Sequence, residues 1–301
     1  MGSKLKGLFW VLVCGIIFDF LSGAAMGADP TKPKVIVGSK NYTESFLAAN
    51  LMSELLEYAG YPVERKLGLG GTAVIQQALV SGEIHIYAEY TGTALLAILK
   101  MPVKNDPNEV YQIVKDEYLK RFNLVWLKPI GFNDTYALAM KRERAKELNI
   151  KKISDLKEKG SKLILGATQE FLVRPDGMPG LEKKYGLKFQ ATKGMDPGLV
   201  YQAIQTNNAD VISVFTTDGR IISFDLVALE DDLGNFPPYY LTPIVRKDLL
   251  DKSPEIADAL NRLVGKINED TMARLNLSVD QDKKDARQVA KDFLTKIALI
   301  K

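Results

Sequence analysis

Short unbroken apolar runs and stretches of helical spacing alternate along this chain. Lys34-Val-Ile-Val-Gly38 is an apolar run closed by glycine and predicts a short buried strand. Leu47, Leu51 and Leu55 then recur at helical spacing. Asn41 and Glu44 stand ahead of them at N-cap and third-position spacing, and Gly60 is a natural stop. A glycine-rich turn, Gly68-Leu-Gly-Gly71, leads into a second helix over 73–80 that ends at Gly82. Ile84 to Ala88 alternates as a strand does and runs out at Tyr90-Thr-Gly-Thr93.

The same order returns one domain later. Lys162-Leu-Ile-Leu-Gly166 matches the opening strand, and Gly186 matches Gly60. Lys193-Gly-Met-Asp-Pro197 stands where Gly68 to Thr72 stood. Gln202-Ala-Ile204 repeats Gln77-Ala-Leu79, and Phe215-Thr216 repeats Tyr90-Thr91, both at the displacement of the Gly68 match. Short apolar runs recur by chance, but an ordered set at nearly constant displacement predicts two similar α/β lobes with largely parallel strands.

Two Pro-marked extended segments, Pro129 to Tyr136 and Phe236 to Pro243, read as crossings between the lobes. Helical stretches over 255–275 and 284–297 follow the return and are expected to pack back on the first lobe. The division is then 29–131 plus 241–301 for lobe 1 and 132–240 for lobe 2. Such a pair makes a cleft, and α/β sheets bind ligands at the carboxyl ends of their strands.

Residues 1–28 read as a secretory signal peptide. Lys4 and Lys6 precede an apolar run from Leu8 to Phe18, and small residues follow, with cleavage expected between Ala24 and Ala28. Val13 ahead of Cys14 departs from a lipobox, so Cys14 is read as part of the apolar run and not as a lipid anchor. An exported, periplasmic protein follows, and a monomer is expected.

Composition narrows the chemistry further. The 301 residues hold 40 Lys plus Arg against 37 Asp plus Glu, a balance that argues against a nucleic-acid partner. With one Cys and one His, no internal disulfide and no Cys/His zinc set can form, and a Ser-His-Asp triad would have to use His85. No cofactor or metal is implied. Glu230-Asp-Asp232 is read as a solvated acidic loop. Ser154-Asp-Leu-Lys157 has the Ser-x-x-Lys spacing of serine acyl-enzymes, but no Lys-Thr-Gly accompanies it, so Ser154 is read as a helix N-cap.

The candidate chemistry lies in the cleft. Tyr90 and Phe215 end equivalent strands, and Tyr136 and Tyr239 lie on the two crossings. Aromatic faces attract cations, and a set of them suits one that cannot donate hydrogen bonds, a quaternary ammonium. Lys40, Arg174 and the Thr93 hydroxyl could take a carboxylate at the other end of such a ligand. The alternatives are a solvated Lys40 and an Arg174 paired with a local acid such as Asp176.

Gly38-Ser-Lys40-Asn-Tyr-Thr-Glu44, Leu67-Gly-Leu-Gly-Gly-Thr72, Glu89-Tyr-Thr-Gly-Thr93, Gly194-Met-Asp196 and Leu229-Glu-Asp-Asp232 with Phe236-Pro-Pro-Tyr239 together resemble one family. It is that of the substrate-binding proteins of ABC importers for glycine betaine, choline and related quaternary amines. The resemblance spans residues 34–300. It implies the type II periplasmic binding-protein fold, closure of two lobes on a ligand, and delivery to an inner-membrane permease with a cytoplasmic ATPase. It places the aromatic box on Tyr90, Tyr136, Phe215 and Tyr239, where Phe215 departs from the Tyr frequent in relatives. It places the carboxylate partners on Lys40, Thr93 and Arg174, and a backbone carbonyl near Asp134 against the ammonium methyls. Glycine betaine or a close relative is the expected ligand, with choline or carnitine as alternatives. A hydrolase on two α/β lobes is the reading from another class, for which no converging nucleophile and base are found.

Overall fold

The computed structural model describes residue 29 and residues 31–301; the segment read as a signal peptide, with Cys14, lies outside the described residues. Among the described residues ten strands form: β1 (Val35–Gly38), β2 (Val63–Lys66), β3 (Ile86–Tyr90), β4 (Leu124–Trp126), β5 (Tyr136–Lys141), β6 (Ile164–Thr168), β7 (Ala191–Met195), β8 (Val211–Phe215), β9 (Leu226–Ala228) and β10 (Leu241–Arg246). They make two five-stranded sheets, ordered β2-β1-β3-β10-β4 and β7-β6-β8-β5-β9. The orders are equivalent position by position. In each sheet, the one strand that runs against its neighbours sits fourth. In the first sheet that strand is β10, entered by the returning crossing, and in the second it is β5, entered by the outgoing one. The chain therefore closes each sheet with a strand that arrives from the other side.

Each sheet is covered on both faces, as its unbroken apolar strands require. On the first, the Thr43–Tyr58 helix buries Leu47, Leu51 and Leu55 against Val35 and Val37. The opposite face takes Ile75 and Leu79 from the Thr72–Ser81 helix and Val110, Val114 and Tyr118 from the Pro107–Phe122 helix. On the second, Val200 and Ile204 of the Pro197–Gln205 helix pack on Ile212 and Val214. The C-terminal chain lies along the Thr43–Tyr58 helix, as expected. It does so in more pieces than the spacing predicts: Glu255–Asn261, Glu269–Asp280 and Ala286–Lys296. Gly265, at φ +71°, and Asn268, whose side chain accepts from Thr271 N, break the first stretch in two.

The crossings run side by side. Asn133 and Tyr240 form an antiparallel bridge, and Asp134 N donates to Tyr239 O at 3.0 Å. The Asn133 side chain accepts from Tyr239 N at 2.6 Å. This ribbon sets Asp134, Tyr136 and Tyr239 between the sheets.

Candidate functional site

Tyr90 and Phe215 sit at the last positions of β3 and β8, the carboxyl ends of equivalent strands. Tyr136 opens β5 and pairs directly across from Phe215, so their rings lie on one face with centroids 4.6 Å apart. Tyr42 arrives from the loop ahead of the first helix and stacks on Phe215 at 5.6 Å and 18°. Tyr42, Tyr90, Tyr136 and Phe215 line a cleft cavity of about 270 Å³, whose polar wall includes Lys40, Thr93, Glu170 and Arg174. Burial pushes the phenols of Tyr42, Tyr90 and Tyr136 up, so the rings stay neutral.

Tyr239 stands behind this wall. Its ring meets Tyr136 edge-on, with centroids 5.8 Å apart, and its hydroxyl accepts from Arg174 Nη2 at 3.4 Å. A Cβ on Gly92 would lie 2.8 Å from two atoms of the Tyr239 ring, so the glycine of Tyr90-Thr-Gly-Thr93 lets ring and backbone touch. The structure thus places Tyr90, Tyr136 and Phe215 of the expected box on the cavity, sets Tyr239 behind Tyr136, and adds Tyr42. No periodicity marks Tyr42, although it lies within the Gly38-to-Glu44 motif two residues beyond Lys40.

The two charged members of the expected carboxylate set, Lys40 and Arg174, are already ion-paired. Lys40 Nζ donates to Glu89 Oε1 at 2.6 Å and to Thr72 Oγ1 at 3.1 Å, and both ends of the ion pair are buried. Arg174 grips Asp176 with Nε and Nη2, at 3.0 and 2.8 Å, as the local-acid alternative expected. Its Nη1 still reaches Thr93 Oγ1 at 3.4 Å and Glu170 Oε1 at 3.3 Å, and its Cζ lies 5.1 Å from the Tyr136 ring centroid. Burial opposes ionisation of Glu170, but Lys40 and Arg174 outweigh it and hold its carboxyl below the usual value. The wall therefore carries two cations and their counter-charges and presents no bare positive field.

Glu44 does not form the capping arrangement its spacing predicts. The helix begins at Thr43 with Tyr42 as its N-cap and no side-chain cap bond. The interior draws the carboxylate in instead: Tyr90 Oη donates to Oε1 at 2.5 Å, and Thr217 Oγ1 and Asn276 Nδ2 donate to Oε2 at 2.5 and 2.8 Å. Asp134 lies on the far side of the rings, in a chamber of about 40 Å³ behind Tyr42, Tyr136 and Phe215. Its Oδ1 accepts from Thr217 N at 3.0 Å, and the backbone N of Asp134 is held by Tyr239.

The remaining motifs have structural employment. Ser154 lies within a 3-10 turn, Ile153–Asp155, and not at its N-cap, which is Lys152. Asp231 accepts from Tyr185 Oη at 2.6 Å and from Asn235 N and Phe236 N at 2.8 Å, so the acidic loop is internally bonded and not merely solvated. Among the described residues no group of His, Cys, Asp and Glu could hold a metal ion. His85 Nδ1 accepts from Ile36 N at 3.1 Å. Among the described residues no helix is long and apolar enough to cross a membrane.

Known proteins share this architecture and much of the sequence. The family described as the substrate binding domain of ABC-type glycine betaine transport system matches residues 33–296. The carnitine transport binding protein OpuCC of Listeria monocytogenes is 33% identical, over 98% of this chain and 97% of its own length. The ergothioneine transport permease/ergothioneine binding protein EgtU of Helicobacter pylori is 38% identical over 88% of this chain, which spans only 48% of that relative. A crystal structure described as a glycine betaine/carnitine/choline ABC transporter aligns with TM-score 0.73 at 32% identity, covering 88% of this chain and 99% of the other. These likenesses run through both sheets and the cleft between them, and the chain belongs to the family of substrate-binding domains of ABC-type glycine betaine transport systems.

Proposed function

We propose that this chain is the exported receptor of an ABC importer and that it captures a zwitterionic quaternary amine, glycine betaine or a close relative, for delivery to a membrane permease. The observation that carries this reading is the lining of the cavity, which sets the aromatic rings of Tyr42, Tyr90, Tyr136 and Phe215 together with Lys40, Thr93 and Arg174. A methylated ammonium has no N–H to satisfy and gains from π faces within about 6 Å. A carboxylate gains from the Lys40 ammonium, the Thr93 hydroxyl and the Arg174 guanidinium. Because Glu89 and Asp176 already balance those two cations, a simple anion has little to hold it, and a ligand that brings its own positive charge fits better. The family is one of binding domains, which leaves no support for the hydrolase alternative.

In this reading the lobes are residues 29–131 with 241–301, and residues 132–240, and the crossings between them are the hinge. Residues 1–28 direct export to the periplasm and are removed. Choline is the second reading. It is favoured by the same ion pairs, which ask for no ligand carboxylate, and by Glu170, whose carboxylate on the cavity wall can accept from a hydroxyl. Calorimetry of residues 29–301 against glycine betaine, proline betaine, carnitine, choline, ectoine and ergothioneine decides between them. Binding of the carboxylated quaternary amines supports the first reading. Binding of choline alone transfers the site to the second, and binding of none removes both.

A further inference from the structure

Beneath the aromatic rings lies a buried carboxyl pair that ligand contact does not explain. Glu44 comes from the first helix and Asp134 from the outgoing crossing, and both face the chamber behind Tyr42, Tyr136 and Phe215. Thr217, just past the end of β8 in the second sheet, stands between them: its N–H donates to Asp134 and its hydroxyl to Glu44. Asn276, from the Glu269–Asp280 helix, donates to Glu44 Oε2 and to Thr217 O. The cluster therefore ties the first sheet's helices to the second sheet directly under the ligand cavity. Both carboxyls are deeply buried, with Glu44 at 4% exposure and Asp134 at 2%.

Among the described residues no cation answers this pair. Arg220, the guanidinium in the chamber wall, is held by Asp218 at 2.9 and 2.6 Å and also faces Asp280, whose Oδ1 accepts from Thr43 Oγ1. Lys40, beyond Tyr42 and Tyr90, is spent on Glu89. The other facing groups are the phenols of Tyr42, Tyr90, Tyr136 and Tyr201. Among the described residues Asp134 Oδ2 has no hydrogen-bond partner although it is buried. Two ionised carboxylates in one buried chamber repel each other and forfeit bulk hydration, and the ordinary relief is a proton. Burial raises Glu44 from its ordinary value, against the hydrogen bonds that favour its charged form, and raises Asp134 well above its own, where the charge on Glu44 adds to the shift.

We propose that Glu44 and Asp134 share one proton when the two lobes are closed, so that capture of the ligand takes up a proton from solution. Opening the cleft parts Thr217 from Glu44 and wets both carboxyls, which then ionise at their ordinary values. The proton is a second ligand of the closed state. The sign follows from linkage: the closed form binds more protons than the open one, so ligand affinity falls as pH rises, by up to tenfold per pH unit for one proton between the ordinary carboxylate pKa and the raised one.

The inference rests on closure around a quaternary amine, and the test keeps the two apart. Glycine betaine is titrated into residues 29–301 by calorimetry at one pH in buffers of different ionisation enthalpy, which counts protons, and again across a pH series. The expected result is uptake of about one proton, with affinity falling as pH rises. Asp134→Asn and Glu44→Gln, which replace an ionisable carboxyl by a neutral amide, are expected to abolish most of the uptake and to flatten the pH profile. Binding with no proton uptake overturns the shared proton and leaves the receptor reading standing. So does uptake that persists unchanged in both variants. Absence of binding at every pH overturns the receptor reading and the shared proton with it. If neither variant folds, the wild-type proton count alone decides.

Discussion

Arg174 and Asp176 form the buried ion pair on which the cavity wall depends, and removing one partner tests how much. Arg174 is 3% exposed and Asp176 is fully buried, joined by two N–H···O bonds. Arg174→Ala leaves the Asp176 carboxylate, buried in the wild type, without its counter-charge. Stranding a buried charge in this way costs about 3–5 kcal/mol. Asp176→Ala strands the guanidinium less severely, because Glu170 still faces it at 3.3 Å. The double variant removes both ends of the pair and leaves Glu170 to Lys40, so it is expected to be less unstable than the sum of the singles, by about 1–3 kcal/mol. Urea unfolding followed by circular dichroism, with free energies extrapolated to water, reads all four corners of the cycle. The reasoning is refuted if Arg174→Ala costs under about 1 kcal/mol, the range of an exposed pair, or if the two losses simply add.

Tyr136→Ala is expected to weaken glycine betaine binding by about 2 kcal/mol, roughly thirtyfold, while Tyr136→Phe keeps the π face and loses far less; equal losses in calorimetry would point to the hydroxyl. Tyr42→Ala is expected to fall in the same range, since Tyr42 stacks on Phe215 at the cavity wall, and unchanged affinity would remove it from the site. Gly92→Ala sets a methyl 2.8 Å from the Tyr239 ring and is expected to displace that ring and with it Tyr136 and Arg174. Weaker binding with little change in the far-ultraviolet spectrum is the anticipated pattern, and wild-type affinity would show that Tyr239 has no supporting role.

Much of the fold was legible because its signals are local. The glycine-ended apolar runs became β1 and β6, and the matched Tyr90-Thr91 and Phe215-Thr216 became the ends of β3 and β8. The duplication carried the sheet equivalence. Less legible was whatever depends on partners distant in sequence. Glu44 has the spacing of a helix cap, yet Tyr90, Thr217 and Asn276 together hold it more strongly than one backbone N–H could. Tyr239 shares the cleft-facing placement of Tyr136 but ends behind it, because Gly92 leaves a slot for its ring. Tyr42 was hidden because a loop aromatic has no periodicity. The pairing of Lys40 with Glu89 joins residues in different strands' surroundings, which no spacing rule reaches.

The most direct measurement is a crystal structure of residues 29–301 grown with glycine betaine. The expected result is a closed cleft in which the ammonium nitrogen lies within about 6 Å of the ring centroids of Tyr42, Tyr136 and Phe215. The carboxylate should face Lys40, Thr93 and Arg174. A ligand bound outside these rings, or turned so that its carboxylate meets them and its methyls meet Lys40, would contradict the assignment of the site.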